Sequence, residues 1–384
     1  MRLTLVTETY FPQVNGVSRT LGQLVSHLAE AGDRIQLILP DYGQGAVVEH
    51  EPTHRVRAIR LPFYKELHLP LPPFGAAHRA IDRFRPDLIH IATEAMLGLS
   101  TLGHALRHEI PVVSSFHTNF SQYSPHYGLG WAKGTIWRYL RWFHNRTRET
   151  YVPSRATTAE LRQRGFERLW LWPRGVDGRL FRPDRPGRLA VRRALGFGPG
   201  DIVVAYVSRI AVEKNVGFLA AALARVAADR PGVRFLFVGD GPARGEVERK
   251  LGQRARFVGY RSGEDLADHY AAADLFAFSS LTETFGNVVL EALASGLPIV
   301  ALRAGGIGDI VQPGRTSLLC APDATAEDFA RAVETLVDDA ELRLRIGENA
   351  RAYALTQSWD AIMDGLRDRY LQVVAQAPAA VLMS

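Results

Sequence analysis

Residues 275–298 read LFAFSSLTETFGNVVLEALASGLP, and this stretch decides the fold class. Its first four residues form an apolar run typical of a buried strand, and apolar residues return at helical spacing from about Asn287. A strand, a short loop and a helix form the repeating unit of a parallel sheet covered by helices. Backbone N–H groups at a helix start attract anions, and Gly286 lets an anion approach the backbone closely. The stretch therefore predicts an α/β fold with an anion-binding loop.

The same alternation of strands and helices occurs twice along the chain. Strands are predicted at Leu3–Thr7, Ile35–Leu39, Leu88–Ile91 and Val112–Ser115, and again at Ile202–Val207, Arg234–Val238, Leu275–Phe278 and Pro298–Ala301. Two complete series predict two doubly wound, Rossmann-like domains. The Pro- and Arg-rich stretch 182–187 is typical of a linker. We therefore assign residues 1–180 to a first domain, 181–356 to a second and 357–384 to a C-terminal helix.

Composition narrows the class of protein. The 384 residues are 47% hydrophobic, as in globular chains, and the single cysteine, Cys320, excludes an intrachain disulfide. No charge-free apolar run is long enough to span a bilayer, and the first residues lack a signal-peptide pattern, so we expect a cytoplasmic enzyme. The net charge of +6 is concentrated in residues 1–180, which suits nucleic acid, phosphate or an anionic membrane. No RNA- or DNA-binding motif accompanies it, so no nucleic-acid partner is expected.

Two carboxylates, Glu283 and Glu291, flank the predicted helix start at Gly286. A carboxylate accepts hydrogen bonds from neighbouring hydroxyl groups, so Glu291 suits a ribose and Glu283 suits a second hydroxyl pair. One helix start can therefore address a sugar, a phosphate and a ribose together. Two glutamates that flank a helix are, taken alone, more often solvated side chains than part of a binding site.

Two cations, Arg209 and Lys214, follow the strand Ile202–Val207, at the edge where open α/β sheets bind ligands. A guanidinium and an ammonium held there can stabilise the negative charge of a bound phosphate group. The chain contains no Asp-x-Asp sequence, the usual acidic clamp for a metal-bound diphosphate. We therefore predict metal-independent catalysis, with no metal site and no cofactor.

These motifs, in this order, resemble those of a known family. The string from Glu283 through Phe285-Gly286 to Glu291 and on to Pro298 resembles the E-x7-E signature of retaining glycosyltransferases of family 4, which have the GT-B fold. The resemblance extends over most of the chain, to segments 9–17, 116–118, 175–183, 208–215 and 239–242. It implies two facing Rossmann-like domains, with the acceptor on the first and the nucleotide-sugar on the second. It also implies a C-terminal helix that crosses back to the first domain.

The resemblance implies roles for individual residues. The expected catalytic set is His117, Arg209, Lys214 and Glu283, and no nucleophile is assigned. The expected donor-binding residues are Gly16, Arg209, Lys214, Tyr260, Glu283, Phe285, Gly286, Asn287, Val288 and Glu291.

Within the family, the N-terminal segment and residues 117–123 are most similar to bacterial GDP-mannose-dependent α-mannosyltransferases and to sulfoquinovosyl or glucosyl diacylglycerol synthases. The expected activity is therefore retaining transfer of a hexose from a donor of the GDP-mannose or UDP-glucose type to a hydroxyl of a lipid or glycolipid. A soluble saccharide acceptor and a GT-B nucleotide-sugar epimerase are the alternatives.

Residues 131–148 combine aromatic and basic side chains without an acid. The candidates for contact with an acceptor or a membrane are Trp131, Lys133, Trp137, Arg138, Arg141 and Trp142. Basic residues interleaved with tryptophan suit the polar boundary of an anionic bilayer. A helix that packs Ile136, Leu140 and Phe143 on its sheet and exposes its arginines explains the pattern equally well, and one helix can do both. We predict peripheral association with the inner face of the membrane.

Overall fold

The computed structural model describes residues 1–13, 16–43, 52–61, 64–117 and 133–376. The chain divides into two compact units, Met1–Pro173 with Asp360–Ser384 and Arg174–Trp359. Each unit contains its own parallel sheet, with helices between successive strands.

The division between the units lies a few residues before the predicted boundary at residue 180. Val176 and Phe181 are part of the hydrophobic core of the second unit. Arg351 Nη2 donates to the Gly178 carbonyl at 2.8 Å. These contacts tie residues 174–180 to the second unit, although the sequence placed them in the first.

The first unit alternates strands and helices from its beginning. Its strands are β1 (Arg2–Val6), β2 (Arg34–Pro40), β3 (Thr53–Val56), β4 (Ala58–Leu61), β5 (Tyr64–Pro70), β6 (Leu88–Ile91), β7 (Val112–Ser115), β8 (Thr150–Val152) and β9 (Leu169–Leu171). The helices among them are α1 (Gly16–Glu30), α2 (Gly75–Phe84), α3 (Met96–Arg107), α4 (Lys133–His144) and α5 (Arg155–Gln163).

Seven of these strands form one sheet in the order β3-β2-β1-β6-β7-β8-β9, and the pairs are parallel. β1 and β6 are almost wholly buried, as expected for parallel strands covered on both faces. β4 and β5 form a separate antiparallel pair. The strand order reverses between β1 and β6, which is where a sheet of this kind leaves a crevice for ligands.

The second unit repeats the plan. Its strands are β10 (Ile202–Val207), β11 (Val233–Val238), β12 (Ala255–Phe257), β13 (Leu275–Phe278), β14 (Ile299–Leu302) and β15 (Ser317–Cys320). Its helices are α6 (Arg188–Ala194), α7 (Val216–Asp229), α8 (Arg244–Leu251), α9 (Gly263–Ala272), α10 (Asn287–Ala294), α11 (Ile307–Ile310), α12 (Ala326–Asp338) and α13 (Ala340–Leu355), with short 3-10 turns at Val212–Lys214 and Gly252–Arg254.

The second sheet has the order β12-β11-β10-β13-β14-β15, and all of its pairs are parallel. This is the strand order of a Rossmann fold, with the reversal between β10 and β13. The two sheets confirm the predicted α/β class with two Rossmann-like parts.

The last helix, α14 (Trp359–Ala375), belongs to the first unit from Asp360 onward. Arg367 Nε donates to Asp33 Oδ2 at 2.7 Å, and Arg369 Nε donates to Glu149 Oε2 at 2.8 Å. Tyr370 from the same helix is completely buried. The predicted return of the C-terminal helix to the first domain is therefore confirmed.

Candidate active site

The loops that follow β10 and β13 lie side by side, because these strands are neighbours at the reversal of the second sheet. Ser279 Oγ lies 3.0 Å from the Lys214 carbonyl oxygen and 3.1 Å from that of Asn215. Thr282 Oγ1 donates to the Glu213 carbonyl at 3.3 Å. These side-chain contacts join the two loops that contain the predicted cations and carboxylates.

An ion pair forms between Lys214 and Glu283, two residues that the sequence placed in the catalytic set. Lys214 Nζ donates to Glu283 Oε1, and both side chains are largely buried. Arg209 lies nearby on the same loop, is 48% exposed and pairs with Glu213 at 3.2 Å. The ammonium is thus held in one place, whereas the guanidinium is in wider contact with solvent.

Lys214 contacts the side chain of Glu283, and two glycines after β14 hold the backbone of the same residue. These glycines were not identified from the sequence. The Gly306 N–H donates to the Glu283 carbonyl at 2.8 Å. A Cβ atom at Gly305 would come within 2.2 Å of that carbonyl oxygen. A larger residue at Gly305 would push the Glu283 loop away from the strand end, and the signal for this was a Gly-Gly pair that begins three residues after the end of β14.

Helix α10 begins at Asn287, as the sequence predicted, and Gly286 caps it with φ of 105°. Only glycine adopts this backbone conformation without strain. Glu291 is buried one turn into the helix, and the Tyr270 hydroxyl lies 3.0 Å from both Glu291 Oε2 and the Val288 carbonyl oxygen. The carboxylate predicted to contact a ribose is therefore fixed by a buried tyrosine on α9.

Two of the predicted donor-binding residues, Phe285 and Tyr260, do not place their side chains with the others at the ends of β10 and β13. The Phe285 side chain is buried in the hydrophobic core of the second unit, so only its backbone is available to a ligand. Tyr260 is 54% exposed and follows β12, two strands away from β10. The structure brings Arg209, Lys214, Glu283, Gly286, Asn287, Val288 and Glu291 to the strand ends at β10 and β13, whereas Tyr260 lies beyond them.

The reversal point of the first sheet carries acids that the sequence analysis did not single out. Glu8 follows β1 and Glu94 follows β6. Glu8 Oε1 accepts the Leu97 backbone N–H at 2.8 Å, at the start of α3. Burial raises the pKa of Glu8 to about 7, and desolvation, with a smaller contribution from the charge of Glu8, raises the pKa of Glu94 to about 7. Their position two and three residues after two central strands was the available signal.

His117 lies just after β7, the strand next to β6, and is 8% exposed. Its Nε2 is 2.7 Å from Ser115 Oγ, and its ring packs edge-on against Trp172 at 5.6 Å between centroids. Gly16, the other predicted residue of this unit, is the exposed first residue of α1. A histidine held by a buried serine and a tryptophan has a restricted orientation, which suits a catalytic group.

Known families match both halves of the chain. The family described as "Glycosyltransferase Family 4" matches residues 14–179, and "Glycosyl transferases group 1" matches residues 201–339. A GDP-mannose-dependent alpha-mannosyltransferase of Mycobacterium tuberculosis is 35% identical over 376 residues, which cover 96% of each chain. The chain belongs to glycosyltransferase family 4.

Two other similarities bear on this family 4 glycosyltransferase. An alpha-monoglucosyldiacylglycerol synthase of Streptococcus pneumoniae is 28% identical, over 78% of this chain and 71% of that one. The solved structure of a sucrose-phosphate synthase from Thermosynechococcus elongatus superposes with a TM-score of 0.82 at 25% identity, over 97% and 99% of the two chains. The family and the GT-B fold expected from the motifs are thereby confirmed.

Trp137, which the sequence predicted to contact an acceptor or a membrane, is buried in the first unit. This side chain is 8% exposed and packs with Phe116, Leu140 and Phe166, with the Arg164 guanidinium 4.0 Å above its ring. It therefore belongs to the core and cannot meet a bilayer, because the helix needs its apolar side to cover the sheet.

The opposite side of α4 keeps part of the predicted pattern. Arg138 and Arg141 are exposed, and Trp142 is 43% exposed beneath the Arg146 guanidinium at 4.5 Å. Trp131 and the side chain of Lys133 lie outside the described residues. Among the helices that the structure describes, none combines the length and apolar character needed to cross a membrane.

Proposed function

We propose that this glycosyltransferase moves a hexose from a nucleoside diphosphate sugar to a hydroxyl of a lipid or glycolipid, with retention of anomeric configuration. Mannose is the hexose that we propose. The observation that carries the transfer chemistry is the Lys214–Glu283 pair at the reversal of the second sheet. It sets a cation and a carboxylate beside the helix start at Gly286, where a sugar diphosphate would find partners for both of its parts.

The Lys214 ammonium would stabilise the negative charge that develops on the departing diphosphate. Glu283 holds that ammonium in position, and a carboxylate oriented in this way can also accept hydrogen bonds from hydroxyls of the transferred sugar. The N–H groups at the start of α10 favour the same anion. With two cations and a helix start in these roles, the proposed mechanism uses no metal ion or other cofactor.

Glu291 would bind the ribose of the nucleotide, because its carboxylate is fixed by Tyr270 one helical turn away from the anion site. Arg209 would add a second cation for the diphosphate once it leaves Glu213. The first unit would bind the acceptor, with His117 directed at the reacting sugar. Support for mannose, and for guanine as the base, comes from the name of the Mycobacterium tuberculosis relative.

The lipid acceptor and the inner membrane face are proposed from two observations. The exposed side of α4 carries Arg138, Arg141 and Trp142, which suit the boundary of an anionic bilayer. The name of the Streptococcus pneumoniae relative includes a diacylglycerol product.

A thermal-shift panel of GDP, GDP-mannose, UDP and UDP-glucose tests the donor. A ligand that binds only the native state raises the melting temperature with its concentration relative to Kd. We expect the guanosine ligands to stabilise the enzyme at lower concentration than the uridine ligands. Preferential stabilisation by UDP-glucose would contradict the mannose proposal. The NMR anomer assignment of the product tests retention, and full activity in excess EDTA tests independence from metal.

Flotation with liposomes tests the membrane proposal. Wild type should float with vesicles that contain anionic lipid, and replacing Arg138 and Arg141 together by Glu should abolish this. Arg162→Glu, a charge reversal at an exposed site on α5, is the matched control and should leave flotation unchanged. A wild-type enzyme that stays with the soluble fraction would favour the alternative of a soluble saccharide acceptor.

A further inference from the structure

A chain of four buried side chains connects the C-terminal helix to His117. The Tyr370 hydroxyl lies 2.6 Å from Nδ1 of His90, and Nε2 of His90 lies 2.9 Å from Oγ of Ser115. The same oxygen lies 2.7 Å from Nε2 of His117. All four groups belong to the first unit, on α14, β6, β7 and the residues just after β7.

Proton counting couples the tautomers of the two histidines. The Ser115 hydroxyl has one hydrogen and lies between two imidazole nitrogens. If it donates to one of them, the other nitrogen must donate to it for the chain to be satisfied. One ring is therefore protonated on Nε2, and the other is bare there.

Tyr370 sets the direction of this chain. Burial raises the pKa of its hydroxyl well above the ordinary value, so the hydroxyl keeps its hydrogen. Within the described part of the chain, its hydrogen bond is the one to Nδ1 of His90. If that nitrogen were the donor, the tyrosine hydrogen would be buried without an acceptor, which is costly. Tyr370 therefore donates, and a neutral His90 has its proton on Nε2.

The remaining protons follow in order. His90 Nε2–H donates to Ser115 Oγ, and the Ser115 hydroxyl donates to Nε2 of His117. A neutral His117 that accepts at Nε2 must have its hydrogen on Nδ1. The second nitrogen of a histidine is commonly set in this way by the partner of the first.

We propose that Tyr370, acting through His90 and Ser115, holds His117 in the Nδ1–H tautomer, so that His117 meets the reacting sugar as a hydrogen-bond donor. The contribution of this tautomer to catalysis rests on the role proposed for His117 above. Tyr370, His90 and Ser115 are then positioning residues, and the return helix is part of the active-site chemistry as well as of the fold.

Long-range proton–nitrogen NMR of the histidine rings tests the tautomer without any assay of activity. Protonated and bare ring nitrogens have well-separated nitrogen shifts, and His117→Gln identifies the His117 signals by their loss. We expect wild-type His117 to be protonated on Nδ1 only. Tyr370→Phe removes the donor to His90 and should move His117 toward the Nε2–H form. A wild-type ring protonated on Nε2 or on both nitrogens would overturn the proposal.

Tyr151→Phe is the matched control for the NMR experiment. Tyr151 is a buried tyrosine whose ring also contacts those of His90 and Tyr370, but its hydroxyl bonds to neither. It should leave the His117 spectrum unchanged. If Tyr370→Phe fails to fold, Ser115→Ala breaks the same chain on β7 and should likewise change the His117 tautomer. An unchanged spectrum in the folded variant would overturn the proposal.

Kinetics separate this proposal from the proposed function. Tyr370→Phe should lower kcat about tenfold and change the donor KM by less than about twofold, as expected for an altered proton position near the reacting centre. In the His117→Gln background, Tyr370→Phe should lower kcat no further. If His117→Gln retains wild-type turnover, the catalytic role of His117 fails, while the NMR result still decides the tautomer.

Discussion

The two sheets reverse their strand order in the same way but carry opposite chemistry at the reversal. In the second unit, the loops after β10 and β13 meet in an ion pair between Lys214 and Glu283. In the first unit, the loops after β1 and β6 carry Glu8 and Glu94, and neither acid is ion-paired within the described part of the chain. One crevice is built around a cation and the other around two acids whose pKa is raised to about 7.

The difference teaches what each level of structure decides. Strand order determines which loops meet, and it is the same feature in both units. The loop sequences determine whether a crevice favours an anion or a neutral polyol. A cation beside a helix start suits a diphosphate, whereas partly protonated acids and a histidine suit hydroxyl groups. This difference in chemistry is consistent with a donor bound by the second unit and an acceptor bound by the first.

Lys214→Ala should have the largest effect on catalysis. The substitution removes a held cation from the proposed leaving group and leaves Glu283 unpaired. We expect kcat/KM to fall by about 100- to 1,000-fold, equivalent to about 3–4 kcal/mol. Replacing the more exposed Arg209 by Ala should lower kcat/KM about tenfold. Steady-state kinetics with GDP-mannose measure both, and circular dichroism checks the fold.

Lys250→Ala is the control for the cation series, because this lysine is exposed on α8 in the same unit. It should leave kcat/KM unchanged. Equal turnover by Lys214→Ala and Lys250→Ala would remove Lys214 from the diphosphate site and with it the charge contrast between the two crevices.

Glu8→Gln should flatten the dependence of stability on pH. Burial raises the pKa of folded Glu8 from 4.5 to about 7, so the folded state holds this proton more tightly than the unfolded state. The stabilisation is complete below about pH 4.5 and is lost as pH rises through about 7, by at most about 3 kcal/mol. Gln keeps the acceptor for the Leu97 N–H but does not titrate.

Urea unfolding of wild type and Glu8→Gln between about pH 5 and pH 8, followed by tryptophan fluorescence, measures this change. Glu167→Gln replaces an exposed carboxylate of the same unit and serves as the control. Parallel pH profiles for wild type and Glu8→Gln would mean that Glu8 is ionised throughout, and the contrast between the two crevices would then be weaker.

Replacing the two carboxylates of the second crevice should affect different kinetic constants. Glu291→Gln should raise the donor KM by about 10- to 100-fold, or about 1.5–3 kcal/mol, by weakening hydrogen bonds to the ribose. Glu283→Gln should mainly lower kcat, since that residue holds Lys214 and the transferred sugar. Glu246→Gln, an exposed site on α8, is the control. If both variants changed only KM, Glu283 would belong to binding and not to transfer.

The elements around the donor site could be predicted because they depend on local signals. Gly286, the start of α10 and the apolar strands each follow from a few neighbouring residues, and the structure has them where expected. The Lys214–Glu283 contact joins residues far apart in sequence. Only the strand order of the sheet brings them together, and the motif resemblance supplied that information.

Other parts of the site were beyond sequence reasoning for physical reasons. Trp137 looked like a membrane anchor because a tryptophan suits a protein core and a membrane boundary alike, and only the packing shows its contacts with Phe116 and Phe166. Tyr370 and His90 lie in segments that the sequence identifies only as a helix and a buried strand. Their hydrogen bond depends on how the distant C-terminal helix packs. No sequence signal beyond a position after a strand marks Glu8 and Glu94, because the desolvation that raises the pKa of each depends on tertiary packing.

The smallest predicted effect concerns Tyr270, which we expect to act on the donor through Glu291. Its hydroxyl lies 3.0 Å from Glu291 Oε2 and is completely buried. Tyr270→Phe keeps the ring that packs on Phe181 but leaves the carboxylate less firmly held. The donor KM should rise about three- to tenfold, near 1 kcal/mol, with kcat unchanged.

A double-mutant cycle makes this prediction specific. Because Tyr270 is expected to work by positioning Glu291, adding Tyr270→Phe to Glu291→Gln should raise the donor KM no further. Tyr151→Phe, which removes a buried hydroxyl from the other unit, should leave the donor KM at the wild-type value in either background. A Tyr270→Phe effect that persists undiminished in the double variant would show that the tyrosine acts on the donor by another route. The ordered carboxylate would then no longer distinguish the second crevice from the first.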